Sequence, residues 1–284
     1  MPRFTAAHTT DPRKISHNGG MTLSSAPLES TVWWAHTSAA SERLLRLLDS
    51  EELARQSRFR LQADRDRHLL GRSLARLALA ERTGCAPEKV TFDLRCRSCE
   101  EKSRTGADGH PEQGSGTAEQ APHGKPVPTG AARGWEISVS HSGEWVALAL
   151  AREVPVGVDV ERISDARDLD GLAGYTLADA EHEQWRALPE QGRAGAFFGY
   201  WARKEALLKA TGLGLSGGLR RVSVSPPHTE ARLLSWEGGG GPETAWLSDL
   251  DRGEKYRSAL AVLTDRPVEL AVHSPERTAD LLRG

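Results

Sequence analysis

The stretch Gly157-Val158-Asp159-Val160-Glu161 decides how this chain is read. Side chains alternate along a β-strand, so Val156, Val158 and Val160 share one face, and Asp159 and Glu161 share the other. Two carboxylates on one strand face repel each other unless a cation or a proton lies between them. A second stretch, Trp201-Ala202-Arg203-Lys204-Glu205-Ala206-Leu207-Leu208-Lys209, is rich in Ala and Leu and predicts a helix. Trp201, Glu205 and Lys209 fall at i, i+4 and i+8 along one side of it. Three carboxylates with a lysine beside them suit a magnesium ion that holds a pyrophosphate. Read alone, Glu205 and Lys209 are equally an ordinary surface ion pair, worth about 0.3–0.5 kcal/mol.

Working outward, residues 145–151 (WVALALA) form an apolar run that predicts a buried strand. Residues 152–155 turn it back, so a hairpin with the 157–161 strand is expected. Residues 135–142 read as another strand, with Ile137 and Val139 apolar and Ser138 and Ser140 alternating with them. It runs into Ser-His-Ser-Gly. A serine hydrolase is disfavoured, because the Gly-x-Ser-x-Gly elbow is absent and adjacent strand residues point to opposite faces. Further upstream, residues 51–82 predict a helix, a bend and a longer helix. Leu69, Leu70, Leu74, Leu77 and Leu79 bury one side, and Arg55, Arg58, Arg60, Arg65, Arg67, Arg72 and Arg76 occupy the rest. These arginines are either a solvated face or an anion cradle. Residues 31–35 predict a first strand and 41–48 a short amphipathic helix. A helix begins near Ala178, where alanine stands at the cap before Glu181 and leaves Asp179 or Thr176 to cap it. The long helix from 195 ends at Gly212 and Gly214. Strands then follow at 221–225, 231–236, 244–247, 256–263 and 268–272.

GVDVE followed by WARKEALLK resembles the paired signature of the Sfp-like 4′-phosphopantetheinyl transferases. The resemblance spans residues 31–275 and is strongest in those two motifs. It implies an α+β fold of two similar halves with the site between them. It also implies magnesium-dependent transfer of phosphopantetheine from coenzyme A to a serine of an acyl or peptidyl carrier protein, in polyketide, nonribosomal peptide or fatty-acid biosynthesis. On this resemblance Asp159, Glu161 and Glu205 bind magnesium, Glu205 is the candidate base, and Lys209 stabilises the transferred phosphate. Gly124-Lys125-Pro126 resembles the family's GKP motif, and Ser140-His141 its nucleotide-phosphate motif. Arg55, Arg67 and His68 fall on its phosphate-contact positions, with His68 where some members carry a small hydroxyl residue. The competing classes are a metal-dependent phosphohydrolase and a non-catalytic module that binds coenzyme A or a carrier.

Bulk properties agree with an enzyme of this kind. The chain has 284 residues and a net charge of −2, from 37 basic and 39 acidic side chains, which argues against a whole-protein nucleic-acid binder. No stretch approaches the roughly 20 apolar residues that cross a bilayer. Three cysteines make no disulfide framework, so a cytoplasmic enzyme is expected, and a chain of two similar halves can complete its site as a monomer. The expected division is a flexible leader (1–30), an N-terminal half (31–150) with a disordered insertion at 100–123, and a C-terminal half (151–284). Just ahead of the insertion Cys96-x-x-Cys99, with His110 and His123 downstream, is a weak zinc candidate beside the plainer reading of two free thiols.

Overall fold

The computed structural model describes residues 26–95, 124–164, 168–214 and 218–284. Most of the expected leader, and Cys96, Cys99, His110 and His123 with the insertion, lie outside the described residues. In chain order the elements are β1 (Leu28–His36), a 3-10 segment (Glu42–Leu47), α1 (Ser50–Arg58), α2 (Gln62–Thr83), β2 (Phe92–Arg95), β3 (Lys125–Pro128), β4 (Trp135–Ser142), β5 (Trp145–Arg152) and β6 (Val156–Arg162). Then come α3 (Leu169–Thr176), α4 (Asp179–Arg186), α5 (Glu190–Thr211), β7 (Val222–Val224), β8 (Leu233–Trp236), β9 (Trp246–Asp249), β10 (Tyr256–Val262), β11 (Val268–His273) and α6 (Pro275–Arg283).

Two sheets face each other, one ordered β11-β1-β5-β4 and the other β6-β10-β9. Helix α2 covers the outside of the first, and α5 covers the outside of the second. The result is a four-layer α+β stack, and residue alternation explains it. In β5, Val146, Leu148 and Leu150 join α2 in one core, while Ala147, Ala149 and Ala151 face the second sheet. WVALALA is therefore apolar throughout because both of its faces are buried, with the small residues where sheet meets sheet. Val156, Val158 and Val160 of β6 meet those alanines. The opposite face of β6, carrying Gly157, Asp159 and Glu161, is turned to α5.

The structure corrects several expectations. β5 and β6 are not a hairpin: β1 and β4 occupy both edges of β5, and β6 pairs with β10 in the other sheet. The chain passes between the sheets at a corner where Glu153 adopts φ 58. The short helix in 41–48 is 3-10, which suits its buried Leu44 and Leu47 at i, i+3. Residues 169–176 form a further helix ahead of the one expected near Ala178. β11 pairs in parallel with β1, so the end of the chain returns to the first sheet, and α6 follows it.

Candidate active site

Helix α5 crosses β6 at Gly157. A Cβ there would stand 2.0 Å from the Ala206 carbonyl oxygen and 2.4 Å from the Ala210 nitrogen, so only glycine allows the approach. Gly157 shares a strand face with Asp159, so this contact also brings Glu205 and Lys209 over the acidic residues. They enclose a cavity of about 260 Å³, with Asp159 and Glu161 from β6, Trp201, Glu205 and Lys209 from α5, and Ser140 and His141 from β4.

Lys209 Nζ donates to Asp159 Oδ1 (2.6 Å) and to Ser140 Oγ (2.8 Å). Ser140 gives its own proton to Asp159 Oδ1 (2.8 Å) and accepts the Val160 amide (3.3 Å). One donor and two acceptor sites are all a hydroxyl has, so Ser140 is saturated. Two acid oxygens are left over: Asp159 Oδ2 and Glu205 Oε1 are buried with no hydrogen-bond partner. Burial, and then the charge of Asp159, push the Glu205 carboxyl up to about 7, with Lys209 opposing the rise. Among the described residues, no three His, Cys, Asp or Glu side chains are drawn together closely enough to hold a metal as they stand. Lys209 supplies the positive charge instead. The donor chemistry nonetheless fits a hard divalent ion, because the two orphaned atoms are carboxylate oxygens facing one cavity that Glu161 also lines.

A second cavity of about 260 Å³ adjoins the first, and Val139 and His141 line both. Its wall carries Arg55, Arg67, His68 and Arg72, with Phe59 and Pro126. Arg67 is fixed there by Gly143 O (2.7 Å) and Asp64 (2.5 Å). Both ring nitrogens of His68 are buried without partners, and its ring lies 5.5 Å from that of Phe59. Burial, then Arg72 and Arg55, hold the His68 pKa down at about 4. His141 is lowered too, first by desolvation and then by Arg67 and Lys209. With its pKa at about 4, the His68 ring is neutral at neutral pH.

The sequence-predicted residues therefore fall in three places. Asp159, Glu161, Glu205, Lys209, Ser140 and His141 meet in the acidic cavity, while Arg55, Arg67, His68 and Pro126 meet in the basic one. Lys125 lines neither: its ammonium bonds Glu136 (2.9 Å) and Val156 O (3.1 Å). The sequence reading did not single Arg72 out from the other arginines as a phosphate contact, though it stands one turn from His68 on α2 and lines the same cavity. Arg76 belongs to neither group: it is buried and paired with Glu52.

The profile of the 4′-phosphopantetheinyl transferase superfamily matches residues 155–261. The 4′-phosphopantetheinyl transferase HetI of Nostoc sp. is 32% identical over 187 residues, covering 66% of this chain and 68% of that protein. A putative 4′-phosphopantetheinyl transferase of Synechocystis sp. is 32% identical over 228 residues, covering 77% and 80%. The 4′-phosphopantetheinyl transferase psf-1 of Bacillus pumilus is 30% identical over 178 residues, covering 63% and 64%. With the matched profile centred on the β6 and α5 motifs that build the acidic cavity, the chain belongs to the 4′-phosphopantetheinyl transferase superfamily.

Proposed function

We propose that this transferase moves phosphopantetheine from coenzyme A to a serine of an acyl or peptidyl carrier protein, in polyketide, nonribosomal peptide or fatty-acid biosynthesis. The observation that carries the proposal is the junction at His141 of an acid-lined cavity and an arginine-lined one. A nucleotide with a phosphate at one end and a pyrophosphate at the other would match that pair in charge once a magnesium ion lay between the carboxylates and the pyrophosphate. Arg55 and Arg67 hold the 3′-phosphate, and His68 offers it, or the neighbouring sugar, one neutral N–H. His141, which lines both cavities, offers the pyrophosphate a ring N–H. Asp159, Glu161 and Glu205 hold magnesium, which when bound supplies positive charge for the pyrophosphate.

In the reaction the carrier serine oxygen bonds to the β-phosphorus of coenzyme A, and the bond from that phosphorus to the bridging oxygen breaks. The leaving group is 3′,5′-ADP. Glu205 takes the serine proton, directly or through water. Lys209 has three N–H bonds, of which Asp159 and Ser140 use two, so one remains for a phosphate oxygen as negative charge develops. Ser140 acts by fixing Lys209 and Asp159, since its own hydrogen-bonding capacity is filled. Lys125 contributes through the phosphate only if it leaves Glu136; in place, it anchors the start of β6. The same reading includes a cytoplasmic monomer whose two sheets, the first completed by β11 from residues 268–273, both contribute side chains to the site.

The test is to incubate the purified protein with coenzyme A, magnesium and an apo carrier domain. The expected result is a carrier whose mass rises by one phosphopantetheine, with 3′,5′-ADP released. Phosphate release from coenzyme A without any carrier would favour a phosphohydrolase, and coenzyme A binding without transfer would favour a binding module.

A further inference from the structure

Strand β6 has one paired edge, on β10, and one edge with no backbone partner in its own sheet. Alternate amides of a strand point to opposite edges, so residues 156, 158, 160 and 162 form one row. An open edge of unpaired backbone groups must be satisfied some other way. Here side chains of the neighbouring strand do it. The Val158, Val160 and Arg162 amides donate to the hydroxyls of Ser138 (3.0 Å), Ser140 (3.3 Å) and Ser142 (3.0 Å), and Lys125 caps Val156 O. The period-two serines of β4 thus stitch the first sheet to the second.

The three serines differ in what their protons do. Ser140 is committed to Asp159, as described above. Ser142 accepts the Arg162 amide, which fixes its oxygen, and donates its single proton to Glu161 Oε2 at 3.1 Å. An ionised carboxylate only accepts, so the direction of that bond is fixed. Ser138 accepts Val158 N–H in the same way but touches no acidic side chain of the cavity. We propose that Ser142 is a positioning residue: anchored by the Arg162 amide, it holds the Glu161 carboxylate at the acidic cavity that Glu161 lines. The inference rests on the proposed role of Glu161 as a magnesium ligand. Groups that orient a metal-binding carboxylate act on the affinity of the site, not only on the fold.

The test compares Ser142→Ala, Ser142→Thr and Ser138→Ala by magnesium titration of the coenzyme A-bound protein, followed by calorimetry and by intrinsic tryptophan fluorescence. Ser142→Ala should weaken magnesium about 10-fold, within the range known for such supporting contacts. Ser142→Thr, which keeps the hydroxyl, should restore affinity to within about 2-fold, and Ser138→Ala should leave it there too, although it removes the same kind of stitch. Equal weakening by both alanine variants, or wild-type affinity in Ser142→Ala, overturns the inference and leaves the function standing. Absence of magnesium binding in the wild-type protein overturns both. If Ser142→Ala does not fold, the threonine variant decides: failure to bind magnesium in a folded Ser142→Thr contradicts the role assigned to the hydroxyl.

Discussion

Lys204 and Glu205 are neighbours on α5, and they stand in opposite kinds of surroundings. Lys204 is fully buried, ion-paired with Glu181, and donates to Thr176 O (2.7 Å) and Leu219 O (3.2 Å). Glu181 in turn accepts the Ala178 amide (2.8 Å) and the Val224 amide (2.8 Å). It thereby ties together α4, α5 and β7 and answers the question of the missing cap: alanine has no acceptor, so Glu181 alone serves that turn. Arg203, also fully buried, bonds Asp249 and three carbonyls of the 225–229 segment. Every partner in that network comes from the protein. On the other side of the helix, Glu205 Oε1 and Asp159 Oδ2 are buried and unanswered. A charged group with all its bonds made is architecture; one whose bonds are left open inside a cavity is waiting for a ligand.

That contrast is open to test. Its largest expected consequence is in stability. Lys204→Ala leaves the Glu181 carboxylate buried without its cation and should lose about 3–5 kcal/mol in urea unfolding. Glu205→Gln removes a buried charge that the fold does not satisfy, so it should leave stability unchanged or higher while lowering transfer on the order of 10²-fold or more. Comparable destabilisation by both would erase the distinction drawn between the two sides of α5.

The basic cavity sharpens it through pH. His68 has a folded pKa of about 4, below its ordinary 6.5. The unfolded chain therefore binds the proton more readily, and stability falls as pH drops from 6.5 through 4. His68→Asn should flatten that part of the profile by at most about 3 kcal/mol, read from unfolding midpoints at pH 4 and 7. A smaller structural effect is expected at Gly157→Ala. Its methyl group meets the backbone of Ala206 and Ala210, so about 1–3 kcal/mol should be lost, and transfer should fall further because α5 must move away from β6. Smallest is Arg67→Ala, expected to weaken coenzyme A about 10-fold but coenzyme A lacking the 3′-phosphate hardly at all. Equal weakening of both ligands would remove Arg67 from that phosphate.

Much of this was legible in the sequence, and the reasons are specific. The period-two pattern of β6 and the i, i+4, i+8 pattern of α5 each settle which residues share a face, while the meeting of those faces, with Ser140 and His141, was implied by the family resemblance and not by periodicity. What periodicity does not carry is which strands are neighbours. The 145–161 region reads as a hairpin because two strands joined by a short turn usually pair; here β1 and β4 had already taken the edges of β5. Nor does it show which member of a charged run is buried. Arg203 and Lys204 look like any helix-surface cations beside Glu205, and Arg76 like any arginine of α2, until the carboxylates that meet them arrive from distant segments. The role of the β4 serines was half visible, as an alternation with no stated purpose, because its partner is the open edge of a strand in another sheet.

The most direct test is the intact mass of an apo carrier domain after incubation with coenzyme A, magnesium and either wild-type protein or a folded Asp159→Ala variant. The account predicts full conversion to the phosphopantetheinylated mass with the wild type and, over the same time, an unmodified carrier with the variant. Conversion by Asp159→Ala at the wild-type rate would contradict it.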